Sequence, residues 1–246
     1  MNKPIKLDRF LVNAGLGSRR QTERLIKAGK IRVNGERILT PAHNILPTID
    51  NVVYQGNPVF QDAPPTYIML NKPRGYITTA NDEKGRTTVF KLVQTPTRVF
   101  PVGRLDRDSE GLLLFTNDGE LANRLLHPRY KVEKRYAVLL NRAIDPALVE
   151  KFRDGVFIER NVRVTAKLVF PQRNNRKFCQ VYISQGKNRQ IRRMFSKFNY
   201  RVTALQRIEM GKLHLGKLAS GAWRYLTEKE ISLLKMQTGL ADADNK

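Results

Sequence analysis

The sequence predicts an α+β protein in two parts: a small helix–helix–hairpin domain, then a larger domain built on a mostly antiparallel mixed sheet. Beyond residue 66, strand-like segments outnumber helix-like ones and do not alternate with them regularly, which disfavours a parallel α/β sheet. The polar stretch 61–66 contains two adjacent prolines, which stiffen a linker and cannot donate to a sheet. We therefore expect domains at 1–62 and 63–240, followed by a polar, disordered tail at 241–246.

The first domain is predicted from two helix patterns and a hairpin signal. Apolar residues recur at helical spacing over 7–14, and Ser18 with Gln21 forms a capping box that opens a second helix. Asn34-Gly35 is typical of a two-residue hairpin turn, here between the strand at 31–33 and Ile38-Leu39. A second short strand pair is expected around 52–59.

The second helix carries a row of cations on one face. At 100° per residue, Arg20, Arg24 and Lys27 lie within about 60° of each other, with Arg19 at the start of the helix. Such a row is more often a solvated helix face than a binding site. The compact layout around it favours phosphate binding.

Three runs in this region resemble the S-four-type RNA-binding domain of a small-subunit ribosomal protein, a domain also found on RNA-modifying enzymes. The resemblance covers about residues 5–55 and implies that Arg19, Arg20, Arg24 and Lys27 bind RNA. The runs are Leu7-Asp8-Arg9-Phe10-Leu11, Gly17-Ser18-Arg19-Arg20 and Gly29-Lys30-Ile31-Arg32-Val33-Asn34-Gly35.

The charge of the chain favours a nucleic-acid partner. Lys and Arg number 45 against 22 Asp and Glu, a net charge of +23. Both parts are basic, because residues 1–60 hold 10 basic and 4 acidic residues (+6) and the remaining 35 and 18 leave +17. An anionic membrane surface would require a basic amphipathic helix with Trp or Leu opposite, and Trp223 does not lie in one. Composition does not distinguish RNA from DNA.

Other classes are disfavoured by what the sequence lacks. No apolar run approaches the roughly 20 residues that a membrane span needs, and residues 1–8 do not form a signal segment, so we expect a cytoplasmic protein. A single cysteine, Cys179, excludes an internal disulfide and any multi-cysteine metal site, and is most simply a small buried side chain.

The second domain is predicted to mix strands and helices. Strands are expected at 67–70 and 111–116, the latter closed by a turn at Asn117-Asp118-Gly119, and alternating apolar residues predict strands at 136–140 and 179–183. Helices are expected after Asp145-Pro146, across 191–198, and from a capping box of Thr227 and Glu230.

The loop at 101–111 is unusually charged. It holds three carboxylates and two arginines between two apolar strands, a place where rigid scaffolds present reactive groups; these are Arg104, Asp106, Arg107, Asp108 and Glu110. A surface loop held by salt bridges is one alternative. A paired-carboxylate hydrolase is another, although an enzyme for neutral sugars does not need this net charge.

A second basic segment, 185–194, enters a helix with arginines in its first turns. Arg189, Arg192 and Arg193 oppose the helix macrodipole there and need an anion to offset them. RNA phosphate and a buried carboxylate such as Asp106 both fit, and a solvated basic face remains an alternative.

Together these segments resemble the RsuA-type family of pseudouridine synthases, over about residues 5–236. The family marks occur in order: Leu70-Asn71-Lys72-Pro73-Arg74-Gly75, Gly103-Arg104-Leu105-Asp106, Gly111-Leu112-Leu113-Leu114-Phe115-Thr116-Asn117-Asp118-Gly119, Lys134-Arg135-Tyr136, Gly186-Lys187-Asn188-Arg189-Gln190-Ile191-Arg192-Arg193-Met194 and Gly221-Ala222-Trp223-Arg224-Tyr225-Leu226-Thr227.

The resemblance implies a pseudouridine synthase catalytic domain and a role for each motif. Asp106 would be the nucleophile toward the ribose or the base of a flipped-out uridine, Arg192 would pair with it, and Tyr136 would stack on the target base. Arg104 would hold the RNA around that nucleotide. The remaining polar residues of the motifs would bind RNA rather than react: Asn71, Lys72, Arg74, Lys187, Arg189 and Arg193.

The resemblance also implies the partner. We expect site-specific isomerisation of uridine in ribosomal RNA, free or in pre-ribosomal particles, by a monomer that needs neither cofactor nor metal. The complete 186–194 motif favours large-subunit over small-subunit RNA. Two alternatives stay open: a non-catalytic RNA-binding or ribosome-assembly factor, and a nucleic-acid glycosidase that would release uracil.

Overall fold

A computed structural model describes residues 3–60, 63–80, 82–171 and 175–240. The chain divides into two compact units between Pro65 and Thr66. The tail predicted at 241–246 lies outside the described residues. Across the part of the chain that is described, no helix has the length and apolar character that a membrane crossing requires.

Within residues 3–60, the first unit contains two helices and six short strands. In chain order these are β1 (Ile5–Lys6), α1 (Leu7–Asn13), α2 (Arg19–Lys27), β2 (Ile31–Val33), β3 (Glu36–Arg37), β4 (Asn44–Ile45), β5 (Val52–Tyr54) and β6 (Asn57–Pro58). Strands β3-β2-β5-β6 form an antiparallel sheet and β1 pairs with β4. The helices and the sheet enclose a core that includes Phe10, Ile26, Ile31 and Val52.

The local signals of this unit act as expected. Ser18 accepts a hydrogen bond from Gln21 N while the Gln21 side chain accepts from Ser18 N, so the predicted capping box starts α2. Asn34 and Gly35 have φ of 50° and 86°, as a hairpin turn with left-handed central residues requires. The predicted return strand at Ile38-Leu39 is wrong: it is Glu36–Arg37, because a two-residue turn places residue 36 opposite residue 33.

The described residues from 66 to 240 form four α-helices, two short 3-10 turns and eleven strands. The strands are β7 (Tyr67–Lys72), β8 (Phe100–Pro101), β9 (Glu110–Thr116), β10 (Lys134–Leu140), β11 (Val156–Glu159), β12 (Val162–Val164), β13 (Lys167–Val169), β14 (Phe178–Ile183), β15 (Val202–Met210), β16 (Leu213–His214) and β17 (Trp223–Tyr225). The helices are α3 (Gly119–Leu126), α4 (Ala147–Asp154), α5 (Gln190–Ser196) and α6 (Glu228–Gln237), and the 3-10 turns are Val89–Lys91 and Pro128–Tyr130.

One large sheet organises this unit. Its strand order is β13-β14-β10-β15-β9-β7-β17, with β16 beside β15 and β8 beside β9, while β11 and β12 form a separate hairpin. Strands β15 and β9 run parallel, and the other pairs are antiparallel. The predicted α+β class with a mostly antiparallel mixed sheet is therefore confirmed.

The middle of the sheet is covered on both faces. On β9, Leu113 and Phe115 face a core that α4 and α5 share, whereas Leu112 and Leu114 face a core that α3 and α6 share. Successive strand side chains alternate between faces, so a strand between two cores reads as a continuous apolar run. Strand β10 instead alternates buried and less buried residues, because only one of its faces packs on a core.

Most predicted helices of this unit are confirmed, and one was missed. The Thr227–Glu230 capping box is formed at the start of α6. Asn117-Asp118-Gly119 was predicted only as a turn, but Asp118 Oδ1 accepts from the backbone N–H groups of Glu120 and Leu121 and starts α3. Helix α5 ends at Ser196, two residues short of Phe198 at the end of the predicted segment.

Candidate active site

A cleft of about 640 Å³ lies where the loop before β9, the strands β10 and β15, and the segment leading into α5 meet. Asp106 and Tyr136, two residues that the motifs single out, both line it. The lining also includes Arg104, Lys134, Arg163, Gln185, Lys187, Arg189, Gln190 and Arg207. Asp106 is the sole acidic side chain among these described lining residues, so the cleft is basic around one carboxylate.

Asp106 belongs to a tight turn that a buried lysine holds in place. Ser109 N donates to Asp106 O at 3.1 Å, which closes the turn. Lys72, fully buried at the end of β7, donates through Nζ to the carbonyl oxygens of Asp106 (3.0 Å), Ser109 (2.8 Å) and Pro73 (3.1 Å). Three carbonyl acceptors satisfy the ammonium group, and in return the ammonium fixes the backbone that carries the Asp106 carboxylate.

This placement corrects the predicted role of Asn71 and Lys72 in RNA binding. Burial lowers the pKa of Lys72 to about 8, although the negative charges of Asp106, Asp108 and Glu110 act in the opposite direction. Asn71 is also buried and donates through Nδ2 to Leu218 O at 2.7 Å. Neither side chain is exposed to a phosphate in this structure, because β7 continues through both residues instead of ending at Leu70.

The predicted pair of Arg192 with Asp106 is replaced by a bridge through Asp108. Arg192 Nη2 lies 3.2 Å from Asp108 Oδ2 and donates to Asp108 O at 3.0 Å, while its Nη1 donates to Val202 O at 2.9 Å. Arg189 Nη1 lies 3.2 Å from Asp108 Oδ1 and 3.7 Å from Asp106 Oδ2. Arg189 is thus the arginine beside the Asp106 carboxylate, and Arg192 fixes the residue two positions further along the turn.

Electrostatics bind the turn to α5. Burial favours the neutral form of Asp108, but the hydrogen bond from Arg189 and the charges of Arg192 and Arg189 outweigh it and lower the pKa of Asp108. Burial lowers the pKa of Arg192, and the negative charges of Asp108 and Asp106 oppose that shift. The charge of Asp106 therefore acts on Arg192 without a direct contact.

Two other predicted RNA-binding arginines are engaged within the protein. Arg74 pairs with Glu110 and donates to Thr203 O at 3.1 Å, which joins the basic loop to β9 and β15. Arg193 pairs with Glu159 and donates to Ile158 O at 2.8 Å, which joins α5 to β11. Both side chains remain partly exposed, so RNA contact is still open to them, but each already has a structural role.

Arg104 and Lys187 differ from these arginines. Both are exposed on the lining of the cleft. Within the described chain, neither side chain makes an ion pair. Both therefore have charge free for a phosphate.

Tyr136 lies on the cleft wall between two buried cations. Its register partner on β15 is Arg207, and Lys134 precedes it by two residues on β10, so the three side chains share one face of the sheet. Lys134 Nζ donates to Ser184 O at 3.3 Å. Burial lowers the pKa of Lys134 to about 8, and the nearby charge of Arg207 lowers it further.

Gly111 allows the strand that carries Arg207 to lie this close to the Asp106 loop. Its φ is +100°, and a Cβ there would lie 2.2 Å from Arg207 O. Arg207 Nε also donates to Leu112 O at 2.7 Å. The glycine after Glu110 therefore serves the parallel contact between β9 and β15.

Sequence reasoning missed Lys134, Arg207 and Gln190 as members of the cleft. The sequence did contain a signal for the two cations. Lys134 occupies an inward position in the alternation of β10, and Arg207 occupies the same kind of position as Leu205 on β15. A charged residue at an inward position of an alternating strand is rare unless it has a partner.

The first unit presents the predicted row of cations. Arg20, Arg24 and Lys27 are exposed on α2, and among residues 3–60 none of them forms an ion pair. Arg19, also predicted to bind RNA, lies 2.9 Å from the buried carboxylate of Asp8 and 3.3 Å from Glu23. Arg19 therefore helps to hold α1 against α2.

The cleft can support covalent chemistry on a flat ring that accepts negative charge. The partly exposed Asp106 carboxylate offers an oxygen that can act as a nucleophile, Tyr136 offers an aromatic face, and buried cations can stabilise negative charge on a ligand.

Comparison with known proteins agrees with this chemistry. The family model described as RNA pseudouridylate synthase matches residues 66–197, and the S4 domain model matches residues 5–48. An uncharacterised RNA pseudouridine synthase of Aquifex aeolicus is 37% identical, with 96% of each chain covered. The ribosomal large subunit pseudouridine synthase B of Bacillus subtilis is 38% identical, covering 94% of this chain and 95% of its own. A crystal structure of a pseudouridylate synthase matches with a TM-score of 0.69 at 27% identity, covering 94% of this chain and 99% of that one.

Proposed function

Because this chain belongs to the RNA pseudouridylate synthase family, we propose that it isomerises a specific uridine of ribosomal RNA, with Asp106 as its nucleophile. Family membership confirms the resemblance seen in the motifs and makes the chain an enzyme that acts on RNA. Large-subunit RNA is the favoured substrate, since the Bacillus subtilis relative is named for that subunit. The enzyme would work as a monomer in the cytoplasm, on free RNA or on pre-ribosomal particles.

The observation that carries the assignment of Asp106 is its position among three neighbouring carboxylates. Asp106 lines the cleft, whereas Asp108 is bridged by Arg189 and Arg192, and Glu110 is paired with Arg74. A nucleophile must reach its substrate with an oxygen that is not fully engaged. Asp106 meets that requirement, with 29% of its side chain exposed and its nearest arginine nitrogen 3.7 Å away.

The reaction fits the residues in the cleft. The target uridine must leave the helical stack, because a stacked base cannot turn over in place. Asp106 then forms a bond to the ribose anomeric carbon or to the base, and the C1′–N1 bond breaks. The base turns so that C5 joins C1′, and the bond to Asp106 breaks, which restores its free carboxylate. The proton on C5 is lost and N1 gains one, so the net change is an isomerisation. Tyr136 would stack on the ring and can take part in the proton transfer.

The exposed cations supply a sequence-independent grip on the RNA. Arg104 and Lys187 at the cleft, together with Arg20, Arg24 and Lys27 of the first unit, are placed to contact phosphates. Arg74, Arg189 and Arg193 could add contacts through their exposed edges. A binding protein without catalysis would share all of these features, but it would not need a partly exposed Asp106 carboxylate on the cleft lining.

The proposal is tested by mapping pseudouridines in ribosomal RNA from cells with and without the gene. We expect one or a few large-subunit positions to lose pseudouridine in the deletion strain. Complementation with the wild type should restore them, and complementation with Asp106→Asn should not. An unchanged map would contradict the proposed substrate. Abasic positions that depend on the gene would instead indicate a glycosidase that releases uracil.

A further inference from the structure

Three polar side chains on the wall of the cleft are almost completely buried. Lys134, Gln190 and Arg207 have exposed fractions of 6%, 3% and 4%, yet all three line the cleft with Asp106 and Tyr136. The phosphate-binding and nucleophilic roles described above use none of them. We call Lys134, Gln190 and Arg207 the inner polar group.

Two members of the inner polar group hold donor atoms that the protein leaves unsatisfied. Gln190 Nε2 and Arg207 Nη2 are buried and have no hydrogen-bond partner among the described residues. Each side chain is anchored by its other polar atoms: Gln190 Oε1 accepts from Lys187 N at 3.1 Å, and Arg207 Nε donates to Leu112 O at 2.7 Å. A buried donor without a partner is costly, so two such donors on one cleft point to acceptors on a ligand.

The charges of the inner polar group also indicate a ligand. Within the described chain, neither Lys134 nor Arg207 pairs with a carboxylate. The two cations also disfavour each other, because the charge of Arg207 adds to the effect of burial on Lys134. Buried like charges without a counter-ion favour a ligand that carries negative charge or gains it during the reaction.

We propose that Gln190 and Arg207 donate hydrogen bonds to the carbonyl oxygens of the target uracil, and that Arg207 with Lys134 stabilises the negative charge that the reaction places on the base. This inference rests on the proposed function. Uracil has two ring carbonyls, O2 and O4, as acceptors for two donors. Cytosine presents an amino group at position 4, which would face a donor and leave it unsatisfied, so the same arrangement selects against cytosine.

The charge development is the same for either attack by Asp106. Attack on C1′ forms an O–C1′ bond and breaks C1′–N1, so the electron pair of that bond stays on the base and is shared by N1, O2 and O4. Attack on C6 of the base forms an O–C6 bond and moves electrons through C5 onto O4. In both routes a carbonyl oxygen becomes more negative, and fixed cations lower the energy of that state.

A phosphate is a poorer occupant for these residues. Phosphates remain on the hydrated backbone of the RNA, where the exposed Arg104 and Lys187 can reach them. The inner polar group lines the same cleft as Tyr136, with at least nine-tenths of each residue buried. A flat base that stacks on Tyr136 can approach such donors while the backbone stays at the rim.

The test combines enzyme variants with substrate atoms. Ribosomal RNA fragments containing the mapped target would be prepared by ligation with uridine, 2-thiouridine or 4-thiouridine at that position, since sulfur is a weaker acceptor than oxygen. Single-turnover rates would be measured for the wild type, Gln190→Leu, Arg207→Met, Arg207→Lys and Lys134→Met. Arg135→Met is the matched control, because Arg135 lies on the same strand and pairs with Glu209.

We expect the wild type to slow about tenfold on each thio substrate, the size of one lost hydrogen bond of about 1.4 kcal/mol. Arg207→Met should slow about a hundredfold or more on uridine and show no further loss on the thio substrate whose acceptor it contacts. Gln190→Leu should likewise slow on uridine and show no further loss on the thio substrate that is altered at the other carbonyl. Arg207→Lys should keep part of the wild-type rate difference between uridine and the thio substrate. Arg135→Met should retain the full thio effect.

The inference would be overturned if each variant slowed all three substrates by the same factor, so that the losses from the variant and from the thio substitution simply multiply. A merely structural role would have that effect. Wild-type rates that are equal on all three substrates would also overturn it, and that measurement needs no variant to fold. If the wild type forms pseudouridine in the uridine fragment but the coupling is absent, the inference fails and the proposed function stands. If the wild type forms none, the proposed function fails.

Discussion

The cations that hold the Asp106–Ser109 turn and those on α2 differ in what they touch. Arg189 and Arg192 are tied to the Asp106–Ser109 turn through Asp108, and Lys72 is enclosed by three carbonyl oxygens. Arg20, Arg24 and Lys27 on α2 are exposed, and in the described first unit none of them has an acidic partner. A uniformly basic composition therefore conceals two uses of positive charge.

The difference indicates which property each group controls. A cation held by a carboxylate and by carbonyls fixes geometry, so its loss should lower the rate of the chemical step. An unpaired exposed cation offers its charge to phosphate, so its loss should lower affinity in a salt-dependent way without changing chemistry. Separate measurements of turnover and binding can therefore distinguish the two groups.

Among the cations that hold the turn and those on α2, the largest effect is expected at Arg192. Arg192→Ala removes bonds to Asp108 and to Val202 O, which loosens the turn beside Asp106. We expect single-turnover rates to fall by about 10² to 10³, as for a misplaced reactive group, with RNA affinity within a few-fold of wild type. Arg192→Lys keeps the charge and should recover only part of the rate. Weaker RNA binding at an unchanged rate would place Arg192 among the phosphate contacts.

Neutralising Arg20, Arg24 and Lys27 together should have a smaller effect and a different signature. Binding to target and non-target RNA should weaken alike, and the slope of log affinity against log salt should flatten by up to about 0.7 to 0.9 per phosphate contact removed. Turnover at saturating RNA should persist, because the cleft residues all belong to the second unit.

Arg19→Gln is the matched control for this triple variant. Arg19 is on the same helix but pairs with Asp8 and Glu23, so its removal should change the salt slope less than any one of the three exposed residues. An unchanged slope in the triple variant, or a different uridine modified, would show that the row does not serve as a general anchor.

The smallest expected effect is on stability in alkaline solution. The pKa of Lys134 is about 8 in the folded protein, below its usual value, so between about pH 8 and 10.5 the unfolded chain binds more protons than the folded one. Stability from this group therefore rises with pH across that window, by up to about 1.4 kcal/mol per pH unit. Urea unfolding should show a flatter pH dependence for Lys134→Met than for the wild type. The stability of the α2 triple variant should depend on pH as that of the wild type does. A flatter pH dependence in the triple variant would contradict the contrast between the two groups of cations.

Much of the fold followed from local signals, because capping boxes, two-residue turns and alternation depend on neighbouring residues alone. Ser18–Gln21 and Thr227–Glu230 both start helices as predicted. Asp118 was taken for a turn, since a short polar cluster after a strand is compatible with a turn and with a helix N-cap. What separates them is the core that covers Leu121, which local sequence does not show.

The chemistry of the site was predictable from the sequence, but the partners of its charged side chains were not. Asp106 and Tyr136, which the motifs single out, both line one cleft, as the resemblance implied. The motifs did not show that Lys72 is enclosed by backbone carbonyls or that Arg189, not Arg192, lies nearest the Asp106 carboxylate. Such details depend on how a turn after β8 meets a helix about eighty residues later, which spacing along the chain does not determine.

The most direct measurement compares Asp106→Asn with Asp108→Asn at saturating ribosomal RNA, followed as tritium release from C5 of labelled uridine. Because a lone nucleophile has no replacement, Asp106→Asn should reduce the single-turnover rate by about 10⁴ or more while RNA affinity stays within a few-fold. Asp108→Asn loses charge in the bridge to Arg189 and Arg192 but keeps the nucleophile, so it should retain measurable turnover, slowed by about 10 to 10². Full activity in Asp106→Asn, or an inactive Asp108→Asn beside a merely slowed Asp106→Asn, would contradict the assignment of Asp106 as the nucleophile.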